Sequence, residues 1–267
     1  MTAIIDFFIR PLNFDIFCTG KKFLVFNLVS RDLKIKYRRS FFGFFWTILH
    51  PLALSGMFYV IFKVIFKANI PHYVPFILSG VIPWTFFSAS VIEGTEVLRA
   101  NAPLLTKVPI PPQVFPIVVC SGNFITFLLS LPVLIGFSFM SGVPFQTSAL
   151  YLPVLCINLF ICAHSFALIL SVLYVYFRDL KHAIGLLMQL LFYATPIVYQ
   201  VEMIPEKFKG FLYLNPIGNL FANFHRVFIG ETIDFSSITF SLAWALVLLI
   251  MGIEIQKRYS RKAVELL

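Results

Sequence analysis

Charge is what this sequence has least of. Asp, Glu, Lys and Arg make up 12% of its residues, against roughly 25% in water-soluble domains. Acids are the scarcer sign, 12 Asp and Glu against 21 Lys and Arg. With 59% hydrophobic residues, the low charge excludes an ordinary soluble globule and leaves an integral membrane protein. Within 267 residues there is no room for a separate large soluble domain.

Other absences narrow the chemistry. No glycine-rich loop leads into Lys-Ser or Lys-Thr, so the usual phosphate-loop route to ATP is missing. There is no His-Glu-x-x-His, no Gly-x-Ser-x-Gly and no Cys-x-x-Cys, which removes the common signatures of zinc hydrolases, serine esterases and dithiol redox enzymes. Cys18, Cys120, Cys156 and Cys162 lack metal-ligand spacing, and the last three sit in apolar runs where a thiol acts as a small hydrophobe. No acid falls near the middle of an apolar run, where ion-coupled carriers keep one. His164 is the one mid-run ionisable candidate, and a histidine hydrogen-bonded between helices is its simpler reading. No internal repeat is evident. The start, MTAIIDFFIRPLNFD, does not read as a signal peptide, because Asp6 precedes any basic residue and Pro11 breaks the run.

What is present is apolar length. Six runs, at about residues 44–66, 73–92, 113–141, 149–176, 183–200 and 237–255, approach or exceed the ~20 residues that cross a hydrocarbon core. The segments 1–43, 93–112, 177–182 and 256–267 hold sixteen of the 21 Lys and Arg, which predicts that they, and both termini, face the cytoplasm. The net charge of +9 lies beside apolar runs, a pattern for lipid headgroups and not for nucleic acid.

Residues 21–66 organise the rest. Phe23, Phe26, Val29, Leu33 and Tyr37 recur at three- and four-residue spacing, as do Asn27, Arg31, Lys34 and Arg38. This predicts a helix in the membrane–water boundary with one greasy and one cationic face, running straight into the first span. The stretch EGTEVLRANAPLLTKVPIPP puts Glu93, Glu96 and Arg99 at helical spacing before Pro103 and the Pro109–Pro112 cluster. It predicts a short, stiff, mixed-charge helix on the inner face, which a soluble partner could push. Residues 202–235 hold two short apolar runs broken by Pro205, Gly210, Pro216 and Gly230; a pair of helices dipping back into the outer leaflet fits them. Aromatics are abundant, with 33 Phe, 10 Tyr and 3 Trp. Most suit lipid contact, and Trp84, Tyr151 and Trp244 read as interface belts. Trp46, Tyr59, Phe192, Tyr193 and Tyr199 are candidates to line a sugar path, since ring faces pack against sugar CH groups.

Four stretches then resemble one family. RDLKIKYRRSFFGFFWTILHP is similar to the N-terminal signature of type-2 ABC transporter permeases that export polysaccharides (O-antigen, capsule and teichoic-acid exporters), through Arg31, Asp32, Leu33, Lys34, Tyr37, Arg38, Ser40, Gly43, Trp46 and Pro51. NAPLLTKVPIPPQVFP resembles that family's first inner loop through Asn101, Leu104, Lys107, Pro111 and Pro116, although Pro112 and Gln113 stand where members often carry a charge. YFRDLKHAIGLLMQLLFYATPIVY is similar through Arg178, Asp179, Thr195, Pro196 and Tyr199, and NPIGNLFANFHRVFIG through Asn215, Pro216 and Arg226.

The resemblance implies an all-α fold of one permease domain. A cytoplasmic N-terminus, residues 1–43, carries an interface helix with Arg31, Lys34, Arg38 and Arg39. Six transmembrane helices fill 44–255, and 256–267 form a cytoplasmic tail. It also implies a homodimer in the bacterial inner membrane, with a separate ATPase subunit that binds the ATP and magnesium, so that this chain holds no cofactor and catalyses nothing itself. A coupling helix would include Glu96, Arg99, Asn101, Leu104 and Lys107, and re-entrant gate helices would include Pro205, Asn215, Pro216 and Arg226. The implied substrate is a lipid-linked glycan. An exporter of another lipid or a drug, a membrane enzyme acting on lipid-linked sugar, and an ion-coupled carrier are the alternatives.

Overall fold

The computed structural model describes residues 21–37, 45–65, 67, 72–108, 110–144, 146–207, 210 and 214–267, and among them no strand forms. In order, the helices are α1 (Lys21–Tyr37), α2 (Trp46–Phe58, continued as a π-helix over Tyr59–Ile65), α3 (Tyr73–Ala100), the single turn α4 (Ala102–Leu105) and α5 (Val114–Met140). A 3-10 turn, Thr147–Tyr151, leads into α6 (Leu152–Tyr176). Then come α7 (Leu180–Ala194), α8 (Pro216–Ile229) and α9 (Phe235–Glu265). Arg38, Arg39, Ser40, Gly43, Cys18 and Pro109 lie outside the described residues.

Among the described residues, four helices are long and apolar enough to cross a membrane: α3, α5, α6 with its lead-in, and α9, at 27 to 31 residues. At 1.5 Å per residue they measure about 40–46 Å, more than the ~30 Å of hydrocarbon, so each has turns to spare beyond it. The chain is therefore an all-α, multi-pass integral membrane protein. The two remaining sequence-predicted spans are shorter. The first is α2 with its π-helical continuation. The other, α7, has 15 residues, about 22 Å, and stops where Pro196 deprives the next turn of an N–H and holds Thr195 extended.

α3 and α6 form the centre. α3 packs on α5, α6 and α8, and α6 is covered on another side by α9. The two central helices touch at Gly94, where an added Cβ would lie 2.5 Å from the Ala167 Cβ. No larger side chain fits that crossing without parting the helices. The core is aromatic as well as aliphatic: Phe86, Phe124, Phe127 and Phe160 meet at ring distances of 5.0–5.8 Å. Trp84, read from sequence as an interface residue, is instead buried in the middle of α3 against Phe87, Phe192 and Phe221. His164 stacks on Phe160 at 6.0 Å, and its Nδ1 has no hydrogen-bond partner, in place of the expected bond between helices.

Two further expectations need correction. The mixed-charge helix on the inner face is not separate: α3 runs unbroken through Glu93, Glu96 and Arg99 to Ala100, because nothing between the span and Pro103 interrupts it. Only the turn α4 follows. Nor does α1 present a clean greasy face. Its buried stripe is Val25, Leu28 and Val29, with Leu24 and Leu33 partly covered against α5, while Phe23 is 72% exposed. The run Phe23-Leu24-Val25-Phe26 carries apolar side chains around the whole helix, so packing on α5, not lipid alone, chooses the face.

Candidate coupling and gating sites

The C-terminal end of α3, which the Lys and Arg bias predicts to be the inner one, is tied by charge. Lys36 on α1 donates from Nζ to Glu93 Oε1 at 3.1 Å and to Asn123 Oδ1 at 2.9 Å. Asn123 on α5 closes the triangle by donating from Nδ2 to Glu93 Oε2 at 2.8 Å. One turn further along α3, Glu96 accepts from Lys181, at the start of α7, at 2.9 and 3.0 Å. That hydrogen bond raises the lysine above its ordinary range. Arg99 lies over the Tyr174 ring of α6 at 6.0 Å. Arg31 is held by Asp32 at 2.8 Å and reaches Asn101 Oδ1 at 3.3 Å. Asn101 itself donates to the Val97 carbonyl, ending the helix. Four helices, α1, α5, α6 and α7, thus converge on the last three turns of α3.

These pairs are half-exposed; the Lys36 and Glu93 side chains are 42% and 46% accessible. An exposed pair of this kind contributes ~1 kcal/mol at most and weakens with salt. The arrangement therefore orients the helices more than it binds them, and can be re-sorted cheaply. Leu104 packs into the inner core cluster, whereas Lys107 is exposed just beyond α4. Lys34 is exposed on α1.

The N-terminal end of α3, by the same bias the outer one, is tied by neutral, buried groups. His225 on α8 donates from Nε2 to the Pro196 carbonyl at 2.7 Å. In the neutral ring this leaves Nδ1 to accept from the Ser79 hydroxyl, 2.8 Å away on α3. The same hydroxyl is 2.7 Å from the Phe76 carbonyl, and the Phe76 ring stacks on the imidazole at 4.1 Å. The next residue, Gly80, lets the irregular backbone after α7 come in close: a Cβ there would collide with the Ile197 carbonyl oxygen and lie 2.9 Å from His225 Cε1. Thr195, Ile197 and Val198 are buried, so this non-helical stretch is covered by protein.

α8 is framed at both ends. The Asn215 side chain caps it by accepting from Ile217 N at 3.1 Å, Pro216 takes the first helical position, and Gly230 ends it in the left-handed region at φ 76°. Arg226 approaches Asp234 at 3.8 Å. Asn223 joins Ser237 at 2.6 Å and accepts from Asp234 N at 2.9 Å, fastening α8 to the start of α9. Pro205 lies exposed between α7 and α8.

The five candidate aromatics gather on α2, α7 and the turn beyond. Trp46, Tyr59 and Tyr193 are exposed. Phe192 is partly covered, wedged between Phe58 at 5.8 Å and Trp84 at 5.7 Å. Tyr199 donates to the Tyr193 carbonyl at 2.8 Å. Lys36, Asn123, Lys181 and His225 are the residues sequence reading passed over. Asn123 and His225 carried a usable signal, a polar side chain inside an apolar helix, which finds a partner across the helix boundary.

The sequence profile of the family described as ABC-2 type transporter matches residues 24–229. An O-antigen export system permease protein RfbA of Klebsiella pneumoniae is 31% identical over 245 residues, 91% of this chain and 95% of that one. An O-antigen export system permease protein RfbA of Myxococcus xanthus is 34% identical over 207 residues, 77% of this chain and 80% of its own. The polysialic acid transport protein KpsM of Escherichia coli is 24% identical over 200 residues, 74% of this chain and 78% of its own.

Proposed function

This chain belongs to the ABC-2 type transporter family, and on that premise we propose that it is the membrane-spanning permease of an ATP-driven exporter that moves a lipid-linked polysaccharide across the bacterial plasma membrane. The observation that carries the reading is the match to O-antigen export permeases over nine-tenths of the chain, at 31% identity. ATP hydrolysis belongs to a separate partner subunit, and this chain is a conduit.

The chain crosses six times, with α2 and α7 as the shorter crossings and both termini in the cytoplasm. The Lys and Arg bias supports the orientation. Burial of Thr195, Ile197 and Val198 supports a broken fifth crossing, since irregular backbone survives at membrane depth only under protein cover. α8, at 14 residues, is about 21 Å long and too short to span, yet is buried along most of its length, which supports a re-entrant helix on the outer side.

Two copies of the chain meet through the α2 and α7 faces. The exposed Trp46, Tyr59 and Tyr193, backed by Phe192 and Tyr199, then line a path between them, where ring faces take sugar CH groups. The ATPase docks beneath α4, against Leu104, Lys107 and the charged end of α3. Its closure on ATP shifts Glu96, Arg99 and Asn101. α3 is one helix from Tyr73 to Ala100, so that shift reaches Ser79 and the His225 tie at the other end. Arg31 is occupied by Asp32 and Asn101, which leaves Lys34, with Arg38 and Arg39, to draw the carrier's phosphates to the inner leaflet.

The test is ATP-dependent uptake of a lipid-linked glycan by inside-out vesicles holding this chain and its ATPase. Uptake with both subunits, and none without either, is the expected result. Uptake that persists without the ATPase overturns the proposal.

A further inference from the structure

The cytoplasmic end of α9 is a rigid cationic bracket whose outer face continues the lipid-facing side of the same helix. The inner face of α9 is a single buried stripe, Ser241, Ala245, Leu249, Gly252, Gln256, Ser260 and Ala263, at three- and four-residue spacing over its whole length. It stays packed past the membrane. Gln256 Nε2 donates to the Leu168 carbonyl and to Ser171 Oγ, both at 2.9 Å, and Ala263 is buried with Val97, Leu98 and Phe115.

The opposite face changes character abruptly. Up to Met251 its exposed residues are Trp244, Leu246, Val247 and Ile250. From Glu254 onward they are Lys257, Arg258, Arg261 and Lys262, with Glu265. At 100° per residue the two sets share one sector of about 160° on the helix wheel. The switch thus happens along the axis and not around it.

Lys257 is six residues beyond Met251, about 9 Å, which is headgroup depth. Aromatics mark the same level. Tyr176 donates to the Tyr259 carbonyl at 3.4 Å, and Tyr176, Phe177 and Tyr259 are all exposed. Arg258 is paired with Glu254 at 2.5 Å. Lys257, Arg261 and Lys262 have no ion-pair partner among the described residues. The side chains of Lys257 and Arg261 stand one turn apart in one column, and Arg258 and Lys262 in the next.

We propose that this face binds anionic phospholipid of the inner leaflet, with Lys257, Arg261 and Lys262 holding the lipid phosphates and Tyr259 at the flank. Lipid is favoured over a protein partner because the cations lie in line with the lipid-facing apolar residues and at the level of the aromatics. The face does not depend on which substrate the chain exports.

The probe is phosphatidylglycerol. The full chain is placed in bilayer discs of equal phosphatidylglycerol and phosphatidylcholine, then released and weighed with its retained lipids. Wild type is expected to retain phosphatidylglycerol preferentially. Lys257→Gln/Arg261→Gln/Lys262→Gln is expected to lose that preference by tenfold or more, at about fivefold per cation. Lys257→Arg/Arg261→Lys keeps the charge and is expected to keep the lipid. Equal preference in wild type and the triple variant overturns the proposal. So does unchanged lipid retention together with loss of the nucleotide-hydrolysing partner on purification, which would assign the face to protein. Should the triple variant fail to accumulate, Arg261→Gln alone decides, with a fivefold loss expected and no loss counting against the proposal.

Discussion

The two ends of α3 are held by opposite means. At the inner end, Lys36, Glu93, Asn123, Glu96 and Lys181 form half-exposed charge pairs whose strength depends on salt and on what lies against them. At the outer end, His225 joins Ser79 and the Pro196 carbonyl through uncharged groups sealed from water, with a glycine admitting the backbone. An exposed pair can exchange partners at little cost. A buried hydrogen bond cannot, because each orphaned group carries its desolvation penalty. One helix thus joins a region suited to being rearranged to a region suited to holding still until forced.

The contrast is tested most severely at its rigid end. His225→Leu leaves the Pro196 carbonyl without its donor and is expected to cost about 3 kcal/mol, read as a lower thermal unfolding midpoint in detergent; His225→Gln, which can still donate, recovers at least half. A His225→Leu protein as stable as wild type would remove the distinction. Next in size, Gly94→Ala forces α3 off α6 and is expected to cost about 2 kcal/mol, with no compensation from salt. Asn123→Leu, at the buried corner of the inner triangle, is expected to cost about 1 kcal/mol and to make stability more salt-sensitive, since the bare Lys36–Glu93 pair then stands alone. The smallest stability effect belongs to Lys181→Gln, a slight loss that vanishes at high salt, while ATP-dependent export falls severalfold. A large stability loss with intact export would show that the inner pairs are structural ties like the outer ones.

Much of this was legible beforehand. The spans of α3, α5, α6 and α9 follow from apolar length alone, because a membrane sets that length. The extension of α3 to Ala100 was obscured by charge: Glu93, Glu96 and Arg99 read as a separate helix until their partners on α1, α5, α6 and α7 are known. The end of α7 was written in Pro196, but whether a proline kinks or stops a membrane helix depends on what covers the freed backbone, here α3 at Gly80. His225 and His164 gave the same signal in sequence. Only packing separates them, one bridging two segments and the other stacked on Phe160. The aromatic candidates follow from residue type, whereas the exposure of Trp46, Tyr59 and Tyr193 is set by packing, which residue type does not fix.

The account rests on this chain being a conduit driven by another molecule. Its most direct test is ATP hydrolysis measured on the purified chain, and again on the chain co-purified with its ATPase, with and without lipid-linked glycan. The account predicts no turnover by the chain alone and turnover in the complex that the glycan raises severalfold. Hydrolysis by the isolated chain, or a complex indifferent to the glycan, would contradict it.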